Sequence, residues 1–413
     1  MRKYFTAVIL VFMSAFLFAQ RNEVYVPHIK TLQVTVNDNW MLPPVVFLNS
    51  DDFIHITFDE LTHEYNRYIY HITHCNADWT PSGLLEIDYL NGFNNNPIDD
   101  YQASFNTTML YTHYWIRIPN ENVQLTASGN YTLTVYRDDN PGVPVFKACF
   151  SVIDPQVKVS ATVSSNTDID TNESHQQVSF NINYQGYNIT SPQSELKIQV
   201  FQNQRVDNMV TVTNPTFLSP GLLQYVHNQQ LIFDAGNEYR RFEITDIHYP
   251  TLGVDKIEYF DPYYHAILFP GQPRKNYSYD IDQNGRYLIR NNLDQDNNTQ
   301  SDYMFVHFTL QMPQLPGGNF FLQGEFTYDR FNTGNQLSYN EQDGAYEGVH
   351  LLKQGAYNYL YLFVPDGSTK GSTAQAAGNF YETENEYMIL VYHRPFGGLY
   401  DKLIGMQMVK FQQ

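Results

Sequence analysis

Beyond its first residues, no stretch of this chain keeps a 3.6-residue apolar period long enough to pack a helix. Short runs that alternate apolar and polar residues recur instead from end to end. That pattern leaves sheets as the only way to bury a core. Residues 29–36 (IKTLQVTV), 53–58, 68–73, 112–118 (THYWIRI), 131–136 and 145–152 read as strands, with a short apolar run at 45–48 after Pro43-Pro44. About seven short strands divided by turn residues fit an immunoglobulin-like sandwich.

The same habit continues through 157–163, 178–184, 196–201, 209–212, 231–233 and 241–247, where Gly, Asn, Ser and Pro clusters divide the strands. A third block holds 303–311, 319–326, 348–352, 357–364, 386–392 and 405–411. The rhythm around Gly324, Asp343-Gly344 and Gln354-Gly355 is that of early-set sandwiches. Asn284-Gly285, in the middle of 277–289, predicts a hairpin. Residues 366–379 (DGSTKGSTAQAAGN) are small and read as an exposed, flexible loop. The expectation is an all-β chain of tandem immunoglobulin-like or early-set β-sandwich domains: 20–154, 155–265 and 266–413, after a signal peptide at 1–19.

The signal peptide rests on Arg2 and Lys3, an apolar run to Phe18, and Ala19 before Gln20. No later run approaches the ~18 apolar residues of a membrane helix. Without Arg2 and Lys3 the chain has 22 Lys+Arg against 43 Asp+Glu, a net charge of −21. So acidic a balance argues against nucleic-acid partners, which need a basic face. Thirty-three Tyr and 28 Phe favour strands. The cysteines, Cys75 and Cys149, both fall in the first block; a disulfide between them and two buried thiols are equally open.

One corner invites chemistry. His74-Cys75-Asn76-Ala77-Asp78-Trp79 closes the strand that starts at Tyr68, and with His71 it holds zinc-ligand residue types. The spacing is poor, since His71 and His74 point to opposite faces of a strand and no second cluster completes four ligands. A structural corner is the better reading, with Trp79 as a core plug. Asp280, Asp282, Asn284 and Gly285 begin like a calcium loop, but Asn291 stands where a bidentate Glu is needed. There is no G-x-S-x-G, H-E-x-x-H, phosphate loop or Cys-x-x-Cys, so catalytic residues, metal and cofactor are expected to be absent.

Longer strings carry a resemblance. HCNADWTPSG at 74–83, IDDYQASFNTTMLYTHYWIRIPN at 98–120 and SGNYTLTVY at 128–136 resemble the N-terminal domain of the type IX secretion system plug proteins. DIDQNGRYLIRN at 280–291, SDYMFVHFTL at 301–310, LLKQGAYNYLY at 351–361, FYETENEYMILVYHRP at 380–395 and YDKLIG at 400–405 extend the likeness over nearly the whole mature chain. The resemblance implies a periplasmic, non-enzymatic lid, peripherally attached at the outer membrane. Its partner would be the very large β-barrel translocon, whose periplasmic opening it closes reversibly. His74, Cys75, Asn76, Asp78 and Trp79 are then family-signature positions with a structural role.

Three rivals remain. An exported glycan-binding sandwich needs an exposed aromatic pair lining a groove. An outer-membrane barrel needs longer strands with an apolar lipid face. A hydrolase needs a cleft with close carboxylates.

Overall fold

The computed structural model describes residues 22–293 and 296–412; the expected signal peptide lies outside them. Sheets dominate, and they pack as three sandwiches.

The first sandwich follows the alternation read from sequence. In the Tyr68–Cys75 strand, Tyr68, Tyr70 and Ile72 are buried and the residues between them are not. Its sheet runs Glu23–Val24, Asn140–Ile153, Gly129–Arg137, Tyr68–Cys75, Asn96–Ile98, with Val45–Phe47 parallel to the end of Asn140–Ile153. The facing sheet runs Ile29–Val36, Ile54–Glu60, Thr112–Ile118, Tyr101–Ala103. Between them Phe58 stacks on Tyr114 at 5.1 Å and meets Tyr68 and Phe146 edge-on. Each such ring, fully buried, contributes about 1.5–3 kcal/mol.

The other two sandwiches are not consecutive, which corrects the boundary expected at residue 265. The middle one has a sheet built on Lys158–Ser164, His175–Asn183, Leu222–Tyr225 and Phe217–Ser219. Its second sheet runs Val210–Val212, Leu196–Gln202, Glu386–His393, Lys402–Lys410, so the chain's last two strands finish it. The third sandwich, residues 236–383, is inserted between these parts. It pairs Arg240–Glu243, Tyr287–Ile289 and Gly318–Gln323 with Gly355–Pro365, and sets them against Val254–Phe260, Tyr263–Leu268, Tyr303–Gln311, Ala345–Lys353 and Ser338–Asn340. Local alternation identifies a strand but not its distant partner, so the insertion was invisible in the pattern.

Two further expectations change. At Asn284-Gly285 both residues have positive φ, 52° and 89°, as a tight turn requires, but only Tyr287–Ile289 is a strand. The segment before it is held by side chains rather than a ladder: Arg241 clamps Asp280 through two bonds, and Asn358 bonds both the backbone and side chain of Gln283. The 366–379 stretch is exposed throughout only as far as Lys370, and beyond it only Ala374 is exposed. Gly371, Thr373, Ala376 and Ala377 are buried. Smallness serves close approach here. A Cβ on Gly371 would lie 2.8 Å from Leu362 and 3.0 Å from Phe331, while the Gly371 backbone bonds Asp207 and Arg205 of the middle sandwich.

Gly371→Val should therefore cost about 1–3 kcal/mol by overpacking. A urea melt of the full chain checks this; an unchanged midpoint would show that the seam has room.

Candidate functional site

The corner after Tyr68–Cys75 is built from the backbone outward. Trp79 N–H donates to Asn76 O, and Asp78 Oδ1 accepts from Thr80 N and Thr80 Oγ1 at 3.1 and 2.6 Å. Trp79 itself sits at φ 64° with its ring buried. The His74 ring lies between Ser82 Oγ (2.9 Å from Nδ1) and Ser128 O (3.1 Å from Nε2), edge-on to Tyr131 and Tyr400. Burial lowers its pKa to about 4, so it is neutral and both nitrogens are engaged. Gly129, at φ 141°, cannot be replaced freely, because a Cβ would lie 2.5 Å from His74 Nε2.

Those residues hold the first sandwich to the middle one. Ala77 N donates to the buried Asp401 at 3.0 Å, and Gln199 Nε2 donates to Ala77 O at 2.9 Å. Asn76 Oδ1 accepts from Arg394 Nη2 at 2.6 Å. Asp401 is also ion-paired with Lys197 and Arg394 at 3.1 and 2.8 Å. Asn130 completes the seam, donating to Asn76 O while its Oδ1 accepts from Ser151 and from Tyr392 OH. Asn76 and Ala77, with the His74 ring against Tyr400, thus act as a joint between domains, while Asp78 closes the turn that presents them.

The same segment decides the family. The model of the type 9 secretion system plug protein first domain matches residues 29–154, which include the corner. The chain belongs to the type IX secretion system plug protein family. It takes part in type IX secretion, and the plug family is a non-catalytic component of that machinery. A crystal structure of a hypothetical protein from Parabacteroides merdae is 46% identical, with a TM-score of 0.94; the match covers 95% of this chain and 100% of that one. All three sandwiches are therefore shared with that relative. No curated protein matches the chain.

In this plug-family chain the cysteines do not form a disulfide with each other. Cys75 pairs with Asn130, and Cys149 with Thr132 on the far side of the same Gly129–Arg137 strand. Two strand spacings are about 10 Å, beyond the ~7 Å that a disulfide can span. Burial pushes the Cys75 thiol up to about 11. The calcium-like run is likewise committed elsewhere: Asp280 to Arg241, Asp282 to the amides of Tyr239 and Asn284. Burial raises Asp282 to about 7. Among the described residues no helix is long and apolar enough to cross a membrane.

Sequence reasoning missed the second joint, between the first and third sandwiches. Asp59 is wholly buried; it accepts from Tyr303 OH (2.7 Å) and Lys353 Nζ (2.6 Å) and bonds His113 Nδ1 at 2.6 Å. Lys353 lies 4.1 Å from the Tyr111 ring centroid and also donates to Asn298 O. Asp302 accepts the Thr108 and Met109 amides beside it. Burial alone would raise the Asp59 carboxyl, but Lys353 and His113 outweigh it and hold it below the usual range. A third buried pair, Arg286 with Glu386, ties the third sandwich to the middle one. The available signal was a charged residue, Asp59 or Lys353, directly continuing an alternating strand.

Lys353→Ala should cost about 3–5 kcal/mol, because Asp59 stays buried and loses its lysine, keeping only Tyr303 and His113; adding Asp59→Asn should recover much of that. Urea melts of the single and double variants check this, and additive losses would contradict it. The pH dependence has a definite sign. Between 6.5 and about 4 the unfolded chain protonates His74 while the folded chain does not, so stability falls as pH drops through that window. The slope is about 1.4 kcal/mol per pH unit for each such histidine. His350, also lowered to about 4 by burial, adds a second. His74→Gln should remove one proton from the slope measured in melts at pH 4.5 to 7.

Proposed function

We propose that this chain is a reversible lid on the periplasmic mouth of the type IX translocon, the large outer-membrane β-barrel. It sits in the periplasm, peripherally attached, and does no chemistry. The observation that carries this reading is the plug-domain match at residues 29–154, the segment that contributes to two of the three interdomain joints. A lid over a wide pore must keep its shape while it seats and leaves. Three sandwiches tied pairwise by buried charged groups give such a body. Breaking any one of those groups from its partner is costly, so the domains move as one.

The clefts support a binding role over a catalytic one. One cleft, of about 450 Å³, lies between the first strand and the third sandwich. Val24, Ile29, Phe326 and Leu352 line it, and its His350 is held neutral by burial. The glycan-binding rival would need aromatic faces open to a sugar. One exposed pair, Tyr65 and Tyr101, stacks on itself at 4.4 Å, so the inner faces of that pair are closed to a sugar.

The test is co-purification. The full chain, tagged at its C-terminus, is recovered from gently solubilised outer membrane and its companions are identified by mass spectrometry. One very large barrel should co-elute, and should be missing when cargo occupies the channel. Deleting the gene should also admit large antibiotics through the outer membrane. Retention on insoluble polysaccharide with no barrel recovered would overturn the reading.

A further inference from the structure

The first joint displays an apolar tip on its outer side. Residues 395–398 (PFGG) form a tight turn closed by Gly398 N–H donating to Pro395 O at 2.8 Å, with Gly397 at φ 76°. At its apex Phe396 is 99% exposed. Leu399, 62% exposed, lies against Gly83, whose N–H donates to Leu399 O. Two and four residues beyond Gly83 come Leu85 and Ile87, 67% and 82% exposed. Four large apolar side chains from two sandwiches thus project around one seam. Isolated exposed apolar residues need no explanation, but a group on adjoining loops marks a contact surface.

The display is rigid. Arg394, just before the turn, is fixed to Asn76 and Asp401, and Asp401, just after it, holds Ala77 N. Asp88 accepts the Leu85 amide at 2.8 Å, and buried Tyr89 anchors the other end of that loop through Ile72 O. A fixed aromatic knob loses little entropy on binding, as contacts that dominate interfaces require.

Charge selects the kind of partner. Glu86 and Asp88 are exposed beside the apolar residues, whereas Arg394 is drawn back onto Asn76 and Asp401 and Lys402 lies over the Tyr400 ring. An acidic rim on a chain of net charge −19 is repelled by an anionic bilayer surface. It is complementary to a protein socket with apolar walls and a basic rim.

We propose that the Phe396 turn and the 85–87 loop are the surface that seats in such a socket on the translocon barrel. This rests on the lid reading above. The test uses the full-length tagged chain with Phe396→Ser, with Phe396→Ser plus Ile87→Ser, and with Phe269→Ser, an exposed ring on the third sandwich, as control. The double variant should recover at least about tenfold less barrel at an unchanged melting temperature, while the control recovers the wild-type amount. Full recovery by the double variant overturns this surface and leaves the lid reading standing. Failure of the wild-type chain to recover a barrel overturns both. Phe396-dependent sedimentation with phosphatidylethanolamine–phosphatidylglycerol vesicles would overturn it in favour of a bilayer. A Phe396-dependent dimer in size-exclusion chromatography with light scattering would overturn it in favour of a second copy.

Discussion

The carboxylate of Asp59 has no water to turn to, and every one of its partners comes from elsewhere in the chain: His113 across the sheet, Tyr303 and Lys353 from the third sandwich. A buried charge of this kind is satisfied in one arrangement of the domains and stranded in any other. Asp401 imposes the same condition on the seam between the first and middle sandwiches, and Arg286 with Glu386 on the remaining one. Such groups add little net stability compared with apolar packing. Their effect is to make one relative placement far better than its neighbours.

The individual strands were legible where one face is buried and the other wet. Ile29–Val36 and Tyr303–Gln311 have the limits that alternation gives. The corner at 74–79 was also legible, as a structural turn at family-signature positions. What it grips was not. Asp401, Arg394 and Gln199 lie far along the chain, and nothing in their local sequence separates a seam residue from an ordinary surface polar one. The small residues from Gly371 to Ala377 read as a loop, because composition cannot distinguish a segment that must be mobile from one that must be thin. Asn284-Gly285 marked its turn correctly, yet the strand expected before it lost its ladder to Arg241 and Asn358.

Function was legible mainly through long shared strings, and physical reasoning contributed the exclusions. Among the described residues the most exposed aromatic ring, Phe396, lies beside the seam that Asn76 and Arg394 hold together. The positions that look most like chemistry instead hold a turn and a domain seam. His74 is kept neutral, and Asp78 only closes a turn.

The insertion of residues 236–383 into the middle sandwich has a consequence for the order in which the protein matures. A chain made from its N-terminus has the residues of the first and the inserted sandwich complete before its last two strands. The middle one must wait for Glu386–His393 and Lys402–Lys410, the last segments to emerge. The same final hairpin carries Asp401 and the Phe396 turn, so two events coincide: closure of the last core and assembly of the seam. Unfinished chains would then lack both the rigid body and the exposed tip. Finishing the chain therefore closes the last core and the seam in one step.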